Sequence, residues 1–173
     1  FADQVDERIA TPLGMETLQP DYQWVEIAHR ATGYRKEGDE IVPSHDSDVS
    51  WKLGGGGFVS SVADLGAFAA GLLRGSLLGK DTQAIMWTQQ TTSDGETTGY
   101  GLGFGVGERK GRQTVSHSGA QEKTRTYMLL HPQEMSGVVV MTNSEWGNPG
   151  AIARAVANAI SPASTLPSPA AQP

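Results

Sequence analysis

The sequence predicts an α+β fold, in which an antiparallel sheet of three to four strands packs against helices. Three observations carry this. Apolar residues recur at helical spacing in the first half of the chain, they recur with a period of two from Tyr100 onward, and a helical stripe returns after Pro149. Helices followed by a meander and a closing helix are the α+β order.

Phe1, Val5 and Ile9 share one face of the first predicted helix, with Asp3, Asp6, Glu7 and Arg8 opposite, and Pro12 is expected to end the run. Phe1 already belongs to the apolar face with no capping residue before it, which reads as a cut end rather than a native start. Pro12-Leu13-Gly14-Met15 then turns the chain into a long polar stretch reaching about Leu53. It carries Trp24, Ile27 and the turn-like Thr32-Gly33-Tyr34 but little periodicity, so an irregular, functional lobe is expected there.

Beyond Gly54–Gly57, Ser61 and Asp64 resemble a capping box, although Asp is shorter than the usual Glu or Gln. The helix they open has Val62, Leu65, Phe68, Ala69, Leu72 and Leu73 on one face, and Gly75 stops it. A weaker helix is expected from about Asp81 to Gln89. From Tyr100, Leu102, Phe104 and Val106 alternate with four glycines, giving a strand with one bare face open to close approach. Gly111 turns the chain into a strand over 112–119. A second turn near Gln121 leads into 123–132, where His117 is expected to pair near Thr126. The run Val138–Met141 suits a strand covered on both faces. Pro149 opens a last helix striped by Ile152, Val156 and Ile160. The Pro-, Ala- and Ser-rich tail from Ser161 to Pro173 is predicted to be disordered.

The 173 residues are enough for one domain, or the larger part of one, with a real core. A net charge of −6 without a basic stripe argues against a nucleic-acid partner. No apolar run reaches the ~20 residues of a membrane span. The chain has no cysteine, which removes disulfides, zinc-thiolate sites and a thiol nucleophile. The glycine clusters fit neither dinucleotide nor phosphate-loop spacing, so no cofactor is expected. His29, His45 and His131, with Asp46 and Asp48 beside His45, are more simply surface or structural residues than zinc ligands, so no metal is expected either.

The segment Thr114-Val115-Ser116-His117-Ser118-Gly119-Ala120 is the densest chemical signal. An imidazole and a hydroxyl at a strand end, followed by small residues, can form one wall of a site for a carboxylate or an oxyanion. A structural histidine is the competing reading, and local chemistry alone leaves the two about even.

Pro12-Leu13-Gly14-Met15, Gly55-Gly56-Gly57-Phe58-Val59-Ser60-Ser61-Val62-Ala63-Asp64-Leu65, Tyr100-Gly101-Leu102-Gly103-Phe104, His117-Ser118-Gly119 and Gly137-Val138-Val139-Val140-Met141-Thr142-Asn143 occur in an order and spacing that resembles the serine β-lactamase-like family. That family comprises class C β-lactamases, DD-peptidases and related esterases, and the resemblance covers nearly all of the chain before Ser161. It implies the β-lactamase/penicillin-binding transpeptidase-like fold and a serine hydrolase acting through an acyl-enzyme on an ester, amide or β-lactam bond. By the same resemblance His117 and Ser118 are the catalytic residues of this segment. Gly119 and Ala120 bind substrate, and Ala120 offers its N–H to the oxyanion.

Two family motifs are missing. Three residues before Lys36, Lys52, Lys80, Lys110 and Lys123 stand Gly33, Val49, Leu77, Gly107 and Ala120, so there is no Ser-x-x-Lys. No tyrosine has asparagine two positions later. Both motifs lie upstream of Pro-Leu-Gly-Met in the family. Residues 1–160 are therefore expected to be the C-terminal portion of a hydrolase domain, inactive alone, with the upstream part of the same protein as its partner and a small-molecule or peptide acyl compound as its substrate. Histidine in the place of the family's lysine is mostly neutral at pH 7 with an ordinary pKa of ~6.5, which favours esterase or peptidase chemistry over β-lactam hydrolysis. Lys123 and Arg125 are candidates to restore positive charge, but are read first as solvated hairpin charges. The alternative from another class is a non-catalytic β-lactamase-like binding module. Export is suggested by family habit only.

Overall fold

The computed structural model describes residues 1–160, so the predicted tail from Ser161 lies outside the described residues. The first helical run does not stop at Pro12. Helix α1 (Ala2–Val5) widens into a π-turn over Asp6–Ala10 and closes as α2 (Thr11–Leu13), with Gly14 left-handed at φ +65°. Pro12 has no N–H to give, and its ring would collide with the fourth preceding carbonyl of a regular helix. The wide turn, in which the Thr11 N–H reaches back to the Asp6 carbonyl, makes room for it.

The expected lobe carries more order than its composition predicts. Strand β1 (Gln19–Pro20) is followed by a hairpin of β2 (Tyr34–Glu37) and β3 (Glu40–Pro43), turned at Gly38-Asp39 with Gly38 at φ +61°. A 3₁₀ turn (Ser50–Lys52) runs into the short helix α3 (Leu53–Gly56), and β4 (Phe58–Val59) returns to pair with β1.

Helix α4 (Val62–Arg74) has the predicted start and stop. The Ser61 hydroxyl accepts from the Asp64 N–H at 3.2 Å. Asp64 is too short to return the bond directly, and Thr17 relays it. The Ser61 N–H donates to Thr17 Oγ1 at 2.8 Å, and that hydroxyl donates to the Asp64 carboxylate at 2.6 Å. At the other end Gly75 is left-handed and the Ser76 N–H closes on the Gly71 carbonyl at 2.9 Å. Helix α5 (Lys80–Met86) follows.

The expected strand from Tyr100 begins only at β5 (Gly105–Arg109). Residues 100–104 form a tight loop instead, because Gly103 is left-handed at φ +81° and Gly101 lies against the Met86 carbonyl, where a Cβ would approach to 2.3 Å. β5 turns through left-handed Lys110 and Gly111 into β6 (Arg112–Ala120), then β7 (Arg125–His131) and β8 (Ser136–Thr142) complete an antiparallel sheet in sequence order. The β6–β7 turn spans 121–124, so His117 faces Met128 and it is Gly119 that faces Thr126.

Ala69 and Leu72 of α4 pack with Phe104, Val115, Met128 and Leu130 on one face of the sheet. On the other, helix α6 (Pro149–Ile160) sets Ala153 and Ala157 against Leu129, Tyr127, Val138 and Val140. β8 is thus covered on both faces, as its apolar run predicts. The predicted stripes are corrected in two places. Ile152, Val156 and Ile160 point outward, because only alanine lets α6 come this close to the sheet, and Val62 of α4 is exposed as well.

Candidate functional site

The site candidates occupy the last four residues of β6. β5 pairs with β6 only up to Gly105–Ser116, whereas β7 pairs with it through Ala120–Arg125. His117, Ser118, Gly119 and Ala120 therefore have a sheet neighbour on one side and an open backbone edge on the other. Along such an edge every second residue presents its N–H and C=O outward.

Strand alternation separates the two side chains expected to do chemistry. His117 shares the α4 face with its partner Met128, and Ser118 shares the α6 face with Tyr127. Both are exposed. The His117 imidazole is edge-on to Tyr100 and Phe104, with ring centroids 6.4 and 6.5 Å away. The loop over 100–104 thus supplies an aromatic wall to the imidazole that the reading of those residues as a strand missed. Gly119 has a reason within the sheet: a Cβ there would come to 2.3 Å from Thr126 Oγ1.

The lobe grips the turn directly after Ala120. Gln121 accepts from Lys52 Nζ at 3.0 Å and donates to the Gly56 carbonyl at 2.9 Å. Ser47 hydrogen-bonds Glu122, and Lys123 pairs with Asp46. Gly33 abuts the Lys123 backbone so closely that a Cβ would lie 2.6 Å from its Cα. At its other end the hairpin is tied to the end of β8, where the Tyr34 N–H donates to the Asn143 carbonyl at 2.9 Å.

These contacts revise the electrostatics. Lys123 and Arg125 are not free hairpin charges: Lys123 is engaged by Asp46, and Arg125 donates to the Gln121 and Thr124 carbonyls. Burial, and then the nearby Arg30 charge, lower the Lys123 pKa against the opposing pull of Asp21. Nothing local in the sequence marks Lys52 and Gln121 as site residues, since 69 positions separate them. Among the described residues no three His, Asp or Glu side chains come together as a metal site, and His131 is buried at the far end of β7. No described helix is long and apolar enough to cross a membrane.

The fold is shared with several solved structures. The octameric penicillin-binding protein homologue from Pyrococcus abyssi superposes with a TM-score of 0.74 at 24% identity, over 92% of this chain and 37% of that one. The D-stereospecific amidohydrolase from Streptomyces sp. gives 0.72 at 20% identity, over 91% of this chain and 47% of that one. The penicillin binding protein from Bacillus halodurans gives 0.72 at 18% identity, over 92% and 49%. The chain spans less than half the length of each. The family model described as Beta-lactamase matches residues 1–161, and the chain belongs to the β-lactamase family, whose members are serine hydrolases.

Proposed function

We propose that this chain is the C-terminal, sheet-bearing portion of a serine hydrolase that forms an acyl-enzyme on an ester, amide or β-lactam bond. The observation that carries the reading is the open edge of β6 at 117–120, where an exposed imidazole and an exposed hydroxyl on opposite faces adjoin small residues, with β7 on one side and no strand on the other. An extended substrate can lie along such an edge, and outward backbone N–H groups there can stabilise a developing oxyanion.

In this reading His117 orients or polarises the acyl group from the α4 face. Gly119 and Ala120 form the backbone part of the wall, and the Ala120 N–H serves the oxyanion. Ser118 contributes a hydrogen bond where the strand end meets substrate. The attacking serine and its lysine base come from upstream polypeptide of the same protein. They split one difficult displacement into acylation and deacylation. The amide-cleaving and penicillin-binding relatives support an acyl substrate.

The test uses the full-length protein and a fluorophosphonate or penicillin probe. Covalent labelling is expected at a serine outside these 173 residues, as read by peptide mass spectrometry. A label within them would overturn the roles assigned here, and no label with either probe would favour the non-catalytic binding module.

A further inference from the structure

Lys52 stands apart from most of the cations around the site. It is half-buried, and none of the ion pairs among the described residues uses it. Its ammonium is 3.0 Å from Gln121 Oε1 and 5.8 Å from the centre of the Trp51 ring. A half-buried ammonium held by a neutral amide beside an aromatic ring has no ion-pair partner among the described residues, which leaves its charge available to an anion. Lys123, the cation nearest in sequence to Ala120, already has Asp46. Gln121 is itself fixed from both sides, by Lys52 and by the Gly56 carbonyl. It follows Ala120 directly, so the ammonium is held at the end of the open edge of β6.

We propose that Lys52, presented through Gln121, is the cationic anchor for the carboxylate of an anionic acyl substrate lying along that edge. The proposal rests on the hydrolase reading of the edge and narrows its substrate class. It places a positive charge on the lobe, beside a strand that carries an imidazole and not a lysine at position 117. Gln121 is then a positioning residue: it sets the distance between the anchored carboxylate and the Ala120 N–H.

The experiment compares two probes on the full-length protein, 4-phenylbutyrate and its neutral amide, with binding followed by NMR titration. Lys52→Met is expected to weaken the carboxylate about tenfold, equivalent to about 1.4 kcal/mol, and to leave the amide unchanged. Lys52→Arg should retain most of the carboxylate affinity, and added salt should weaken carboxylate binding to the wild type but not to Lys52→Met. Equal effects on both probes, no effect on either, or no binding of the carboxylate by the wild type overturns the anchor. Fluorophosphonate labelling of the same samples is read separately. It decides whether the protein is a serine hydrolase, and the difference between the two probes decides whether Lys52 holds an anion.

Discussion

Asp64 shows how one side chain can serve two ends of a structure. Its carboxylate is buried and receives both the N–H and the hydroxyl of Thr17, each at 2.6 Å, while its own N–H is capped by Ser61. The Thr17 hydroxyl chiefly holds the carboxyl below the ordinary carboxylate range, and burial opposes it. A folded pKa depressed in this way contributes stability above the unfolded value of ~3.9. That contribution is lost as pH falls through the folded value. Asp64→Asn is therefore expected to be less stable than the parent at neutral pH and to lose less further stability below about pH 4. Urea midpoints measured at neutral and acid pH check this, and parallel losses in the two proteins would refute it. The cap was legible from Ser61 and Asp64. Thr17 was not, because its position is fixed by the pairing of β1 with β4, 38 to 40 positions apart in sequence.

Among the elements, the helices and strands with a strict period were readable, and the departures have local causes. Gly75 and Gly111 do what their turns require. Pro12 does not stop the helical run because a π-turn absorbs it, and 100–104 is a loop, although alternating glycines look like a strand, because one of them needs a left-handed backbone. The hairpin at 34–43 was signalled by Gly38-Asp39 between polar strands whose weak apolar pattern hid it. For α6 the large apolar residues suggested the buried face, but packing distance to the sheet selected the alanines. The β6–β7 pair yields a prediction of its own. Gly119→Ala should destabilise the protein by about 1–3 kcal/mol through overpacking against Thr126. The double variant with Thr126→Ala should recover most of that loss, as measured by chemical unfolding. Additive losses would mean that the glycine answers to something other than its cross-strand neighbour.

On the scale of the whole molecule, the candidate site was legible as a strand end but not as a place. The His117-Ser118-Gly119-Ala120 segment was visible in the sequence. Its open edge, its opposed side chains and the grip of the lobe on 121–123 depend on where β5 stops and on contacts that span the chain. The same scale sets an expectation for the 173-residue chain. β8 has no outer strand partner among the described residues, and Ile152, Val156 and Ile160 are 46, 41 and 59% exposed. An unpaired edge beside an apolar stripe favours self-association. The isolated chain is expected to sediment as concentration-dependent oligomers, and Val156→Lys to shift it toward monomer. A strictly monomeric parent would contradict this.

The clasp between lobe and turn divides the labour of change. The sheet and its two flanking helices carry the frame, whereas Glu122 and Lys123 are met by Ser47 and Asp46 from a loop and Gln121 by a 3₁₀ turn and a four-residue helix. Loops of this kind tolerate altered length and composition far better than packed strands do. On the proposed reading, lengthening or recharging the loop over 44–48 would therefore retune what the edge of β6 accepts while the register of the four-stranded sheet stayed as it is, leaving selectivity and architecture free to drift apart.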